Sequence, residues 1–193
     1  MAQSDKPVLM FFGDSITAGY DLDPKEAFPA IIEQKMLDLG YDYEVINAGL
    51  SGEASAEGLL RVDTVLRTIP DIFVLELGAN DGLRELDFGL LKNNLQLIIN
   101  KVKNENPNVT LVVAGMEMPR LMGESYRAQF RQVFREVVEE NNAYLIPFIL
   151  EGVGGIPELN MADGIHPTAK GHLVIAETVW TCLKPLLKLK SDI

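Results

Sequence analysis

The ten residues VLMFFGDSIT, positions 8–17, decide the fold. Positions 8–12 form an unbroken apolar run that is too short for a helix. Such a run has no polar face, so it reads as a strand buried on both sides. Gly13 and Asp14 end it, and Ser15 and Thr17 open the next segment. Downstream, positions 27–39 place Ile31, Ile32, Lys35, Met36 and Leu39 at helical spacing, and Gly40 stops the helix. The same alternation continues. Strands are predicted at 43–48, 71–77, 109–115 and 143–146, and helices at 53–69, 88–104, 124–141 and 168–188. Pro70 and Pro107 lie at or just past helix ends, and Lys184 and Lys188 close the last helix, where cations suit the dipole. Positions 147–167 read as irregular, with Gly152, Gly154, Gly155 and Pro157. Strand–helix repeated five times predicts a parallel α/β sheet covered on both faces, with right-handed crossovers. A flavodoxin-like order, 2-1-3-4-5, suits the chain length, and residues 1–193 read as one domain.

Composition narrows the function classes. The 193 residues carry a formal net charge of −11, which argues against nucleic acid or an anionic membrane as main partner. No apolar run approaches the ~18 residues of a membrane span. Residues 1–7 hold no signal-peptide core, which leaves cytoplasm and periplasm both open. One cysteine, Cys182, allows no intramolecular disulfide, and two histidines are too few for a common zinc site. No metal or other cofactor is expected.

Parallel sheets carry their chemistry beyond the carboxyl ends of the strands. Four polar or glycine-rich groups fall there: Gly13-Asp14-Ser15, Asn47-Ala48-Gly49-Leu50-Ser51-Gly52, Gly78-Ala79-Asn80-Asp81, and, before the last helix, Asp163-Gly164-Ile165-His166. Turn chemistry alone accounts for any one of them. Among six serines, Ser15 follows a buried strand and precedes a helical pattern, which exposes its hydroxyl and sets its N–H at a helix start. Ser51 competes, but Glu53 replaces the last glycine of a G-x-S-x-G elbow, so a turn or cap role fits it better. Of the histidines, His172 falls inside the last helix and reads as surface or packing. His166 lies three residues after Asp163, close enough for the carboxylate to fix its tautomer and stabilise its cation. Backbone N–H groups of Ser15 and Gly52 and the neutral Asn80 amide are candidate donors to an oxyanion.

Taken together, the four groups resemble the blocks of the SGNH, or GDSL-type, hydrolase family, in order, over positions 13–166. Within it the chain is similar to the small bacterial thioesterase/lysophospholipase/arylesterase group, on the stretches VLELGANDGLR (74–84) and DGIHP (163–167). The resemblance implies a three-layer α/β/α fold. It implies Ser15 as nucleophile, His166 as general base and acid, Asp163 as its orienter, and Ser15, Gly52 and Asn80 as oxyanion donors. Positions 116–126 correspond to a loop that shapes the acyl site, and Met118, Leu121, Met122 and Ile165 are candidate acyl-groove residues.

The expected activity is hydrolysis of carboxylic esters, and of thioesters too, through an acyl-enzyme on a small-molecule substrate. Monomer or weak oligomer is expected. Rival readings are a carbohydrate O-acetylesterase on the same scaffold, a non-catalytic lipid- or glycan-binding module, and a phosphate-binding protein. The last lacks G-x-x-x-x-G-K-[ST], and positions 152–157 fail G-x-G-x-x-G.

Overall fold

The computed structural model describes residues 6–189. Ser4, Ser191 and the first part of the segment read for a signal core lie outside these. Five parallel strands form one sheet: β1 (Val8–Gly13), β2 (Glu44–Gly49), β3 (Ile72–Glu76), β4 (Thr110–Ala114) and β5 (Tyr144–Ile146). Their order is β2-β1-β3-β4-β5, as the alternation predicts.

Every residue of β1 is buried because helices cover both faces of the strand. Successive side chains point to opposite sides. Phe11 meets Phe28 of helix α2 (Phe28–Asp38) edge-on at 5.3 Å, whereas Phe12 stacks on Phe73 and lies under Arg61 of α3 (Ser55–Val65). Helix α2 packs with α7 (Ala169–Leu183), and α3 packs with α5 (Phe88–Glu105), which packs with α6 (Glu124–Asn141). Truncating either phenylalanine to alanine would cost about 3–5 kcal/mol through lost transfer and an unfilled cavity.

Two short helices follow β1 and β3, namely α1 (Ser15–Ala18) and α4 (Ala79–Leu83). They carry two of the sequence groups on the same rim.

Three helix boundaries differ from the sequence reading by two residues or more, among them the end of α3, at Val65 rather than position 69. Helix α3 starts at Ser55, not at position 53, because the Ser55 N–H and hydroxyl bond the Asp81 carboxylate at 2.8 and 2.6 Å. Helix α7 ends at Leu183 and tightens into a 3-10 turn over Lys184–Leu186. Pro185 has no N–H to continue the ladder. Lys188 therefore lies past the helix it was expected to close.

His172 is buried in α7, and its Nδ1 accepts the Phe28 N–H at 3.1 Å. That N–H is one of the unpaired donors at the start of α2, whose N-cap Ala27 offers no side-chain acceptor. The packing role read from sequence is thus a cap supplied from another helix. Burial pushes the imidazole down to about 4, so it stays neutral near pH 7.

Candidate active site

Asp14 is the N-cap of α1, and its Oδ1 accepts the Ile16 N–H at 3.0 Å. The turn this makes places Ser15 at the first helical position, facing the loop that follows β5. Ser15 Oγ lies 3.1 Å from His166 Nε2, although the two residues are 151 positions apart. His166 Nδ1 lies 2.7 Å from Asp163 Oδ2. Asp163 Oδ1 accepts the backbone N–H groups of Ile165 and His166 at 2.8 and 3.0 Å, which ties carboxylate and imidazole into one small loop. The His166 hydrogen bond, followed by those two N–H groups, holds the Asp163 carboxyl down at about 2. An ionised Asp163 accepts a hydrogen bond from Nδ1–H, which fixes the tautomer that leaves the Nε2 lone pair for the Ser15 hydroxyl. The Tyr20 ring lies against the imidazole with centroids 4.2 Å apart.

Beside the serine, the N–H groups of Ser15 and Gly52 have no internal acceptor among the described residues. Gly52 has φ +85°, and an added Cβ would meet nothing within 4 Å, so the loop there is open to a ligand. The Asn80 amide is engaged differently: its Nδ2 donates to the Glu53 carbonyl at 2.9 Å and to Asp14 Oδ2 at 3.2 Å. Arg61 holds the Gly52 loop from below through a two-pronged ion pair with buried Glu53, both N···O distances being 2.6 Å, and through the Ala48 carbonyl at 3.0 Å. Arg84 donates to the Gly52 carbonyl at 2.8 Å.

A cavity of about 620 Å³ opens next to these groups. Its wall is largely apolar, with Ile16, Leu83, Met116, Met118, Phe148 and Leu150, and it includes Ile165 beside His166. Met118 and Ile165 line it as expected, whereas Leu121 and Met122 do not. Leu121 is 90% exposed, because the 3-10 turn Arg120–Met122 directs it to solvent, and Met122 packs against the core. Arg127 closes this loop, donating to the Met118 carbonyl at 2.9 Å and to Glu117 at 2.6 Å.

Residues 11–174 match the GDSL-like lipase/acylhydrolase family. Esterase TesA of Pseudomonas aeruginosa is 39% identical over 186 residues, covering 96% of this chain and 92% of that protein. Thioesterase 1/protease 1/lysophospholipase L1 of Escherichia coli K12 is 32% identical over 184 residues, 95% of this chain and 86% of that one. The crystal structure of TesA aligns with a TM-score of 0.89 at 39% identity, over 93% of this chain and 99% of its own. The chain belongs to the GDSL-like lipase/acylhydrolase family. It is a serine ester hydrolase with the three-layer α/β/α fold of that family.

Four residues around this GDSL-family site were not singled out from the sequence. Tyr20, Arg61 and Arg84 carried no local signal, since each acts on a partner far along the chain. Glu76 did carry one: it is a lone carboxyl inside the apolar strand DIFVLEL, where an unpaired charge costs several kcal/mol.

Proposed function

We propose that Ser15, His166 and Asp163 are the catalytic residues of this hydrolase. Ser15 Oγ attacks the carbonyl carbon of an ester or thioester as its proton passes to His166 Nε2. The tetrahedral oxyanion is met by the Ser15 and Gly52 N–H groups and the Asn80 amide. His166 then returns the proton to the departing alkoxide or thiolate as the C–O or C–S bond breaks. Water, deprotonated by the same Nε2, releases the acid from the acyl-serine.

The observation that carries this reading is the unbroken chain of contacts from Ser15 Oγ through His166 to Asp163, at 3.1 and 2.7 Å. The apolar wall of the adjoining cavity favours an acyl chain over an acetylated sugar, and so aryl esters, acyl thioesters and lysophospholipids over O-acetyl glycans. One chain supplies every group, which supports residues 1–193 working as a single domain, as a monomer or weak oligomer. A net charge of −11 suits an aqueous compartment, cytoplasm or periplasm.

The test is fluorophosphonate labelling together with a panel of p-nitrophenyl esters, acyl-CoAs, lysophospholipids and acetylated sugars, compared by kcat/KM. Labelling should be lost in Ser15→Ala and kept in Ser51→Ala. The reverse result would move the nucleophile to Ser51, and a preference for acetylated sugars would replace the acyl-chain reading.

A further inference from the structure

Directly beneath the nucleophile lies a second carboxyl that acyl transfer does not use. Glu76, the last residue of β3, is 2% exposed. Its Oε2 accepts the Thr17 hydroxyl at 2.8 Å and the Asp14 N–H at 3.3 Å. The Asp14 side chain beside it is fully buried as well, so two carboxyls share one enclosed floor. The backbone makes room for this. A Cβ on Gly13 would come within 2.5 Å of Glu76 Oε2 and 2.2 Å of Thr17 Oγ1. The glycine of Gly13-Asp14-Ser15 is therefore the residue that admits the Glu76 carboxyl to the floor of the site.

Two neighbouring carboxyls taken out of water repel when both are ionised, so one of them keeps its proton. The surroundings say which residue keeps it. Asp14 already accepts Ile16 N–H and Asn80 Nδ2, and it feels the charge of His166, all of which favour its anion. Glu76 is fully enclosed and faces the Asp14 charge. Burial first, and that charge second, push it well above the ordinary glutamate range. Burial raises Asp14 to about 6, so above that pH the pair is an Asp14 carboxylate beside a Glu76 acid.

The Asp14 carboxylate in turn touches both halves of the reaction. It caps the turn that presents Ser15, and it takes one N–H of Asn80. An unrelieved anion there would grip Asn80 firmly and oppose the negative charge that develops on the substrate. A proton donated from below draws off part of that charge.

Resting on the acyl-transfer reading, we propose that Glu76 is a positioning residue that works as a neutral acid: it donates a hydrogen bond to Asp14, and Asp14 so held fixes the Asn80 amide and the Ser15 turn for attack on the substrate.

The experiment compares Glu76→Gln, which keeps a donor, with Glu76→Met, which has similar volume and none. Each is measured for kcat and KM on a p-nitrophenyl ester and for melting temperature on the same preparation. Glu76→Met should lower kcat by up to about 10²-fold, the size expected when reacting groups lose their alignment, with KM little changed. Glu76→Gln should recover most of kcat. Infrared difference spectra of the wild type at pH 8 should show the carbonyl stretch of a buried protonated acid, and Glu76→Gln should remove it. The proposal is overturned if the folded Glu76→Met enzyme turns over like wild type, if Glu76→Gln loses as much as Glu76→Met, or if that band is missing at pH 8. The infrared measurement decides the matter even if Glu76→Met does not fold. A wild-type enzyme that takes no fluorophosphonate would instead sink the acyl-transfer reading itself, so the two failures are told apart.

Discussion

Asn80 shows how much can rest on one amide. It ties the start of α4 to Glu53 at 2.9 Å and to Asp14 at 3.2 Å, and in the proposed mechanism the longer bond yields to the oxyanion. A donor that strengthens as charge develops lowers the barrier more than it tightens binding. Asn80→Ala should therefore cost about 10²–10³ in kcat with KM nearly unchanged. Asn80→Asp should be at least as damaging, since it sets a negative charge beside both Asp14 and the oxyanion. A stable Asn80→Ala protein with wild-type kcat would remove the residue from the site. The pH profile follows from the neighbouring triad. Asp163 is held down at about 2, so it remains ionised through the working range and does not set an acid limb. Asp163→Asn should cut kcat without unfolding the chain, as turnover and melting measurements on one preparation would show. Ser15, Asp163 and His166 were legible as candidates because four polar groups stand together in the family's block order, although turn chemistry accounts for any one of them. Tyr20 and Arg61 were not, because their partners are brought near only by the folded chain.

Helix α2 is tied to α7 by a neutral histidine, and that joint should be sensitive to acid. Burial lowers His172 from the ordinary histidine value of about 6.5 to about 4. Between those values the unfolded chain binds the extra proton and the folded chain does not. Stability from this group is therefore fully present above pH ~6.5 and drains away as pH falls toward 4, by up to about 3 kcal/mol. Asp14 and Glu76, both raised, act with the opposite sign, so the difference between wild type and His172→Asn isolates the joint. Urea unfolding of both at pH 7 and pH 4.5 should show the gap in stability narrowing at the lower pH; a constant gap would contradict a neutral buried His172. The Gly52 loop has its own fastening. Removing Arg61 leaves Glu53, 6% exposed, without its cation. Arg61→Leu should cost about 3–5 kcal/mol, the usual penalty of a stranded buried charge, read as a lower urea midpoint. Helix cores were easier to read than helix ends. The apolar spacing of 27–39 located α2 within a residue at each end, but the start of α3 depends on Asp81, far along the chain, and the end of α7 on Pro185, a signal present in the sequence that the periodicity overrode.

The molecule as a whole repels anions. At low salt a net charge of −11 acts over a Debye length of ~30 Å, and at physiological salt over ~8 Å. If acyl-CoA is a substrate, its kcat/KM should climb as sodium chloride is raised from 0.01 to 0.15 M, while a neutral p-nitrophenyl ester of the same chain length should be indifferent. Equal responses would mean that the local cations Arg84 and Arg120 outweigh the overall field. The sheet order and the rim on which the site stands were legible from strand–helix alternation alone, because a parallel sheet admits few arrangements. Cavity shape was not, because it depends on which way the 3-10 turn at Arg120–Met122 rolls Leu121. The separation of Ser15 and His166 by 151 positions also bears on how the enzyme is made. A ribosome adding about 5–20 residues per second exposes the serine roughly 8–30 s before the histidine is synthesised. Throughout that interval the nascent chain carries an unactivated hydroxyl, inert toward the cell's esters. A ribosome-stalled chain ending before Asp163 should accordingly take up no fluorophosphonate, and reactivity should switch on only once α7 has emerged and docked on α2.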